Sequence, residues 1–396
     1  MVEELKNNLK MSRKSLRAEL NGKLKTLDKR INTVYDLTLS SLAELPRFLI
    51  YVIKRILGKE NKRIENSVKF CNLQLQKSLK VKVRETFDFE IVKEANPIEL
   101  ALKCKEKLGF YPISFVDMRE LRTEVLIQEK TKSFSSIIPG TLYSYDSEVD
   151  YYKEYQSSEF AFTFKKCGWD SYRSIEIVSQ GTIPIYLEIE KVPRFCMTFY
   201  PKLNMQILTE NYLQRPYILS SEAKFNFLEL AWSRLNTKFL GKYLLELVGA
   251  EPKNVLFFDE HLDIFKGDYQ SMMVLKAFSD ITDLDVTTPQ KLEYLFDSNY
   301  QGQDLYGRGF GYKGILKNSK VKNRKREIDY KDFDLVIVGS AARNWNFISK
   351  LEDKMRNRVV LIWGEDHAPT KSELAILNRK SSHVFIREIS HPFIIP

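Results

Sequence analysis

The residues best suited to chemistry lie around Glu176, within the segment 165–202. Glu176 precedes Gly181 by five residues, so a helix that ends at this glycine would carry the carboxylate near its last turn. Thr182 and Pro184 would then stand at the start of a short apolar strand. A carboxylate there can accept both hydroxyls of a ribose, at about 1.5–3 kcal/mol for each charged hydrogen bond. The pattern favours a nucleotide site at the carboxyl edge of a parallel sheet.

Basic and aromatic side chains lie just upstream of this carboxylate. Lys165, Lys166 and Arg173 could neutralise a diphosphate. Trp169 and Tyr172 could stack on a base or on a sugar. From spacing alone, the alternative is a structural helix–strand turn with a surface glutamate and solvated lysines.

The C-terminal part of the chain alternates between apolar runs and helical patterns from residue 254 onward. Runs of Val, Ile and Leu separated by helices predict parallel strands covered on both faces, and therefore an α/β fold. Strands are predicted over 254–258, 334–340, 358–366 and 383–389, and helices over 268–278, about 343–356 and 370–379. Ligands of such sheets bind at the carboxyl ends of the strands. The residues predicted at the carboxyl ends of these strands are Asp259, Glu260, His261, Gly339, Ser340, Gly364, Glu365, Asp366 and His367.

Three further segments have recognisable patterns. Apolar residues at helical spacing predict one long amphipathic helix over about 221–248. The glycine-rich segment 302–314 lacks the GK[ST] of a P-loop, and it is interpreted as an exposed irregular loop or a mobile flap over a cleft. Asp283 and Asp285 form a D-x-D pair that is interpreted as surface charge, so no metal is predicted.

The net charge of +10 is concentrated at the N-terminus. Residues 1–63 carry 15 basic and 7 acidic side chains, a balance of +8, whereas the remaining residues carry 47 and 45, a balance of +2. A body this close to neutral weakens a nucleic-acid interpretation. The four cysteines have no CxxC spacing, which favours a reducing compartment over disulfides or zinc.

The N-terminal segment is helical in pattern. Residues 45–59 are apolar but interrupted by basic residues, so they are too short and too charged to span a bilayer. They predict an interfacial helix on an anionic membrane, in a cytoplasmic protein peripheral to the inner face; the alternative is a helix packed on the body or on a neighbouring chain. A short heptad seam, which could make a homo-oligomer, is formed by Leu20, Leu24, Leu27, Ile31 and Val34.

The central motif resembles the donor-site signature of exostosin-like glycosyltransferases, which pairs a helical Glu with a Gly-[CT]-Ile-Pro turn. It is still more similar to a group of bacterial and large-virus glycosyltransferase-like proteins with the pattern IPG, KK-x-GWD-x-x-R-x-x-E, G-x-IP and PK. The matching residues are Ile138-Pro139-Gly140, Tyr151-Tyr152, Lys165-Lys166, Gly168-Trp169-Asp170, Arg173, Glu176, Gly181-Thr182-Ile183-Pro184, Pro193 and Pro201-Lys202. Later stretches of the same group occur at 268–270, 305–310, 333–340 and 364–366, so the resemblance covers about 134–389. Where the group has Arg-His, this chain has Arg173-Ser174.

The resemblance implies a nucleotide-sugar-dependent, inverting glycosyltransferase of two Rossmann-like domains that face a cleft, an arrangement like GT-B. The donor motif precedes the regular Rossmann half, so the two halves could stand in swapped order. The implied organisation is a basic helical extension over 1–63, a donor domain with a connecting helix over 64–248, and an acceptor and catalytic domain over 249–396. The donor would be linked to UDP or GDP, with no further cofactor, and the acceptor would be a glycan or a lipid-linked glycan at a cell surface or virion.

Roles follow from the resemblance for individual residues. The donor would be held by Lys166, Trp169, Arg173, Glu176, Gly181, Thr182 and Pro184. The general base, which contributes about 10²–10⁴-fold, would come from the facing sheet. Asp366 is favoured, with Glu365, His261 and Asp259 as alternatives. Two rival functions are a non-catalytic glycan- or nucleotide-binding scaffold of the same fold, and an assembly protein whose N-terminal helices recruit partners.

Overall fold

The computed structural model describes residues 59–78, 86–120, 129–140, 145–215, 217–265, 267–290, 292–301, 305–323 and 328–389. The chain divides into two compact units, Met1–Arg63 and Ile64–Pro396. The predicted heptad seam lies outside the described residues, as does nearly all of the predicted interfacial helix. None of the helices in the described ranges has the length and apolar content that crossing a membrane requires.

The described helices and strands alternate along the chain. The helices are α1 Lys59–Ser78, α2 Pro97–Leu108, α3 Glu148–Gln156, α4 Tyr172–Ser179, α5 Lys202–Gln214, α6 Ser221–Arg234, α7 Thr237–Val248, α8 His261–Phe265, α9 Tyr269–Ser279, α10 Glu293–Phe296, α11 Trp345–Lys350 and α12 Lys371–Lys380. The strands are β1 Thr86–Phe87, β2 Tyr111–Pro112, β3 Lys132–Phe134, β4 Ser158–Phe164, β5 Ile183–Leu187, β6 Ile218–Leu219, β7 Asn254–Phe258, β8 Asp285–Thr288, β9 Lys322–Asn323, β10 Leu335–Val338, β11 Val359–Trp363 and β12 His383–Ile386. Short 3-10 helices cover Ile189–Lys191, Tyr306–Gly309, Tyr330–Asp332 and Asp353–Arg358.

Seven of the described strands form one parallel sheet in the order β2-β12-β11-β10-β7-β8-β9. From β12 to β9 this is the order of doubly wound sheets, in which the direction of winding reverses between β7 and β10. β10 and β11 are buried along their whole length, because their Val, Ile and Leu side chains are covered on both faces. The predicted α/β class with parallel strands is therefore confirmed, and this sheet is compatible with a Rossmann-like domain.

A second parallel sheet contains β3, β4 and β5 in chain order. The helix α5 lies beside β5, where the backbone N–H of Tyr186 donates to Thr209 Oγ1 at 3.0 Å. One apolar core cluster includes strand residues from both sheets, such as Phe160 and Val255. β2, which comes before the second sheet in the chain, pairs with β12 of the first. The boundary at residue 249 stays a prediction.

The single long helix predicted over 221–248 is wrong. Two helices, α6 and α7, occupy this stretch, because the chain turns at Asn236. The Asn236 backbone is extended, and its side-chain oxygen accepts the N–H of Phe239 at 2.9 Å, so it begins a new helix. The predicted helix over about 343–356 is also shorter, since α11 ends at Lys350 and a 3-10 helix follows.

Candidate functional site

Glu176 lies on α4, which connects the parallel strands β4 and β5. A connecting helix between parallel strands runs back across the sheet, so the turn at Gly181 lies at the amino edge of β5. Gly181 has a φ of 67° and follows the helix end, as the sequence predicts. The predicted position of this turn at the carboxyl edge is wrong, whereas the start of α4, with Arg173, lies on the carboxyl side.

The Glu176 carboxyl group is buried, with only 4% of the residue exposed. Its Oε2 accepts a hydrogen bond from the Tyr151 hydroxyl at 2.9 Å, and this hydroxyl accepts one from Arg173 Nη1 at 2.7 Å. Arg173 Nη1 also lies 3.3 Å from the Tyr155 hydroxyl. Burial raises the pKa of Glu176, and the charge of Arg173 opposes the shift. The alternative of a surface glutamate is therefore wrong, and Arg173 is engaged with tyrosines rather than standing open to a diphosphate.

Thr182 and Pro184 support the turn from within the protein. The Thr182 hydroxyl lies 2.6 Å from the carbonyl oxygen of Tyr155 and 3.1 Å from that of Ser158. Pro184 is buried in β5 opposite Ala161. Both residues hold β5 against the preceding elements, and neither side chain faces solvent.

Lys166 and Trp169 lie in the loop that follows the carboxyl end of β4. Trp169 is half-buried, and the ammonium group of Lys165 lies 4.8 Å from the centre of its ring. Lys166 is half-buried, and its backbone N–H donates to the carbonyl of Gly168 at 3.2 Å. This loop also carries Asp170, through which it contacts the other sheet.

Loops from the carboxyl ends of the two sheets meet at the end of β12. The backbone N–H of Asp170 donates to Glu388 Oε1 at 2.7 Å, and Arg387 Nη1 donates to the carbonyl of Asp170 at 2.6 Å. A Cβ on Gly168 would lie 2.6 Å from Glu388 Oε1, so only glycine fits there. The loop after β5 joins them, because Cys196 Sγ accepts the N–H of Ile389 at 3.2 Å. The carboxyl edges of the two sheets are thus in direct contact.

Asp366 and Glu365 follow β11 at the same edge. Asp366 Oδ1 accepts from Arg387 Nη2 at 2.7 Å, and its side chain is 37% exposed. Arg387 is 2% exposed, and its guanidinium group lies over the ring of Phe115 at 4.3 Å. Glu365 is half-buried. Asp366 is therefore fixed from the interior while its outer surface reaches solvent.

The carboxyl groups around Arg387 share one buried positive charge. Burial raises the pKa of Asp170 to about 6 and that of Glu388 to about 7, and the charge of Arg387 opposes both shifts. Asp366 and Glu388 contact this guanidinium directly, at 2.7 and 3.2 Å, whereas Asp170 contacts it through its backbone carbonyl. Because burial disfavours the charged form of a carboxyl group, Asp170 and Glu388 hold protons at pH values where exposed carboxyl groups are ionised.

Asp259 and His261 stand at the carboxyl end of β7. Asp259 is fully buried; its Oδ2 accepts from the Ser271 hydroxyl at 2.6 Å and its Oδ1 from Asn344 Nδ2 at 2.9 Å. Arg343 Nη2 lies 3.9 Å from the same carboxylate and also pairs with Asp268. His261 begins α8, with its Nε2 3.6 Å from Glu260 Oε1. Asp259 thus holds the strand-end loops together, and an acceptor hydroxyl cannot reach it without a rearrangement.

The glycine-rich segment 305–314 packs against other elements. Phe310 and Tyr312 are buried, so its interpretation as an exposed loop is wrong for this part, whereas Tyr306 is exposed. The N–H of Gly311 donates to Glu148 Oε1 at 2.7 Å, and the ring of Phe310 lies 5.7 Å from that of Tyr151. Glycines with positive φ permit this path of the backbone. The segment therefore covers the tyrosines that surround Glu176.

Pro201-Lys202 has a structural role in this chain. Lys202 Nζ donates to the carbonyl of Cys196 at 2.7 Å and to that of Arg194 at 2.9 Å. Burial lowers the pKa of Lys202 to about 8. The lysine thus fixes the loop that leads from β5 to α5.

The strand predicted over 383–389 contains Arg387 and Glu388, and the sequence does not mark them as site residues. A charged pair directly after a buried apolar strand is the signal that could have found them, since such residues are seldom buried without partners. Arg343 and Asn344, which follow β10 and contact Asp259, were also missed. Among the described residues, no group of three or more His, Cys, Asp or Glu side chains could hold a metal ion. Asp285 pairs with Lys322 at 2.8 Å.

Comparison with known proteins found no matching family model, no matching curated protein and no matching solved structure.

Proposed function

We propose that this chain is a glycosyltransferase that moves a sugar from a nucleotide sugar to a glycan acceptor with inversion, in a GT-B-like arrangement. The observation that supports this most is the meeting of two carboxyl edges around Arg387, which hydrogen-bonds both Asp366 and the backbone of Asp170. Ligands of parallel α/β sheets bind at carboxyl edges. A site between two such edges suits a reaction with one substrate on each side.

Glu176 takes the ribose hydroxyls of a UDP- or GDP-linked donor in this proposal. Its carboxyl group is already a hydrogen-bond acceptor for Tyr151, so a ribose hydroxyl would add to or replace that bond. The basic loop after β4, with Lys166, and the start of α4 lie nearby along the chain. Cations and helix N-termini stabilise the negative charge of a departing diphosphate.

Asp366 acts as the general base. The acceptor hydroxyl gives its proton to Asp366, and its oxygen bonds to the anomeric carbon. The bond from that carbon to the nucleoside diphosphate breaks, and the electron pair leaves on the diphosphate. Arg387 holds the carboxylate in place through the 2.7 Å contact to Oδ1, which leaves the other oxygen to receive the proton.

Turnover tests the proposal. Wild-type protein is mixed with UDP- and GDP-sugars and a panel of glycan acceptors, and release of free nucleoside diphosphate is measured. Asp366→Asn should lower the rate about 10²–10⁴-fold, as expected for loss of a general base. Exposed Glu190→Gln is the control and should keep the wild-type rate. No acceptor-dependent release by the wild type would remove the enzymatic part of the proposal.

A non-catalytic glycan- or nucleotide-binding scaffold is the second candidate. It is favoured by Ser174, which stands where the glycosyltransferase-like pattern resembled by the central motif has histidine. Ser174 is fully buried, with its hydroxyl 3.0 Å from that of Thr163. Nucleotide or glycan binding without any release of nucleoside diphosphate would favour this candidate. The membrane surface and the homo-oligomer remain proposals for residues 1–63.

A further inference from the structure

Gln270 carries an unsatisfied amide in the protein interior. It is the second residue of α9 and is 1% exposed. Neither its Nε2 nor its Oε1 has a hydrogen-bond partner among the described residues. Buried polar groups in folded proteins nearly always have partners, because an unpaired one loses its bonds to water without replacement. The amide therefore requires an explanation.

Gln270 packs against glycines at the carboxyl edge of the main sheet. A Cβ on Gly364, directly after β11, would lie 2.7 Å from Gln270 Cβ, so the glycine makes room for this side chain. A Cβ on Gly339, directly after β10, would collide with the Ser271 hydroxyl. The first turn of α9, capped by Asp268, thus packs directly on the carboxyl ends of two adjacent strands.

The same edge carries the candidate general base. The carbonyl of Gly364 accepts from Arg387 Nη2 at 2.8 Å, and the same nitrogen donates to Asp366 at 2.7 Å. Gln270 therefore packs against the loop that positions Asp366. Its neighbour Tyr269 stacks on Tyr172, with the ring centres 4.2 Å apart.

We propose that the Gln270 amide binds hydroxyl groups of the acceptor sugar beside Asp366. The inference rests on the proposed function, because it assigns the acceptor to this edge. An amide offers donors and an acceptor, and sugar hydroxyls both donate and accept. The neutral amide carries no charge that could offset that of a buried anion or cation, so a neutral ligand fits best. The segment 305–314 covers the start of α9, with the hydroxyl of Tyr269 3.4 Å from the carbonyl of Phe310, and the sugar must displace it.

Gln270→Met tests the inference, because methionine keeps the length of the side chain and removes the amide. Gln180→Met is the matched control, since Gln180 is also buried but its Oε1 accepts from Gln156 at 2.7 Å. Without ligand, Gln270→Met should raise the midpoint of thermal unfolding and Gln180→Met should lower it. Binding is measured on an array of neutral mono- and oligosaccharides. For the glycans that the wild type retains, Gln270→Met should lower the affinity at least about tenfold.

Four results would overturn the inference. A lower unfolding midpoint for Gln270→Met would mean that a buried water already satisfies the amide. A higher midpoint with unchanged glycan binding would separate the amide from the acceptor. If the wild type retained no glycan, the acceptor site would be removed from the proposal.

Shifts in the unfolding midpoint with UDP and GDP are measured in parallel. If one of these results is obtained but the wild type still responds to a nucleotide, only the Gln270 inference fails and the donor half of the proposed function stands. If Gln270→Met weakened nucleotide binding as much as glycan binding, the amide would be assigned to the edge of the nucleotide base. That result would also overturn the inference.

Discussion

Arg387 Nη2 donates to Asp366 Oδ1 at 2.7 Å, and the arginine is 2% exposed while the side chain of Asp366 is 37% exposed. The pair joins the interior of the protein to its surface at the edge of the main sheet. Through Nη1, Arg387 donates to the carbonyl of Asp170 in the loop after β4. One buried guanidinium group thus holds the candidate base and the loop of the donor motif in a fixed relation.

Removal of Arg387 should destabilise the fold. Arg387→Met leaves Asp170 and Glu388 buried without their positive partner, and loss of one partner of a buried ion pair costs about 3–5 kcal/mol. The free energy of unfolding from urea titration measures this. The exposed Arg194→Met is the control and should change stability by less than about 0.5 kcal/mol. Equal stability of the two variants would show that the buried cluster does not depend on Arg387.

Stability should fall as the pH rises through the range in which Glu388 ionises. Burial raises its pKa to about 7 in the folded protein, above the ordinary value of 4.5, so the stabilising contribution is full below about pH 4.5 and is lost as the pH approaches 7. Asp170, with a raised pKa of about 6, acts in the same direction. Glu388→Gln should flatten the fall in the free energy of unfolding between pH 5 and pH 8. An unchanged slope, with exposed Glu190→Gln as reference, would contradict this account.

The Tyr151 hydroxyl should matter more than that of its neighbour. Tyr151→Phe removes the bond to Glu176 and the acceptor for Arg173, so it should cost about 1–3 kcal/mol. Tyr152 is the matched control, because it is buried beside Tyr151 and its hydroxyl has no hydrogen-bond partner in the described part of the chain. Tyr152→Phe should leave stability unchanged or slightly higher. Equal losses in urea unfolding for both variants would mean that burial alone, and not the Glu176 contact, sets the effect.

The basic N-terminal segment should bind anionic membranes. Lys54→Gln combined with Arg55→Gln removes two charges, each contributing about 1 kcal/mol near an anionic surface, so partitioning should weaken up to about thirtyfold. Sedimentation with phosphatidylserine-containing vesicles at low salt measures this in the full chain. The double variant Lys103→Gln and Lys107→Gln removes the same charge from exposed positions of α2 and should bind like the wild type. If both double variants weakened vesicle binding equally, binding would depend on the net charge of the chain and not on the N-terminal segment.

Four neighbouring strands of the main sheet, β12, β11, β10 and β7, could be predicted because they are defined locally, whereas the short edge strands β2, β8 and β9 were not predicted. Runs such as 335–338 and 359–363 are apolar on both faces. Such a run predicts a strand buried on both faces without any information from the rest of the chain. The break between α6 and α7 is also a local feature, since Asn236 is a favoured residue at a helix start, but the apolar spacing that continues across it masked the signal.

The site was harder to predict because its contacts join distant parts of the chain. Glu388 and Asp170 are 218 residues apart, and spacing within either segment carries no information about the other. The burial of Glu176 likewise depends on Tyr151 and on the packing of Phe310 over the tyrosines. Motif spacing could identify Glu176 as an unusual carboxylate, but it could not tell which side chains would surround it.

The proposed hydrogen bonds from ribose hydroxyls to Glu176 are tested most directly by calorimetric titration with UDP and GDP and with their 2′-deoxy forms. The account predicts that the wild type binds a ribonucleotide at least about tenfold more tightly than its 2′-deoxy form, and that Glu176→Gln loses most of this preference. Equal preference in both proteins, or no nucleotide binding by the wild type, would contradict it.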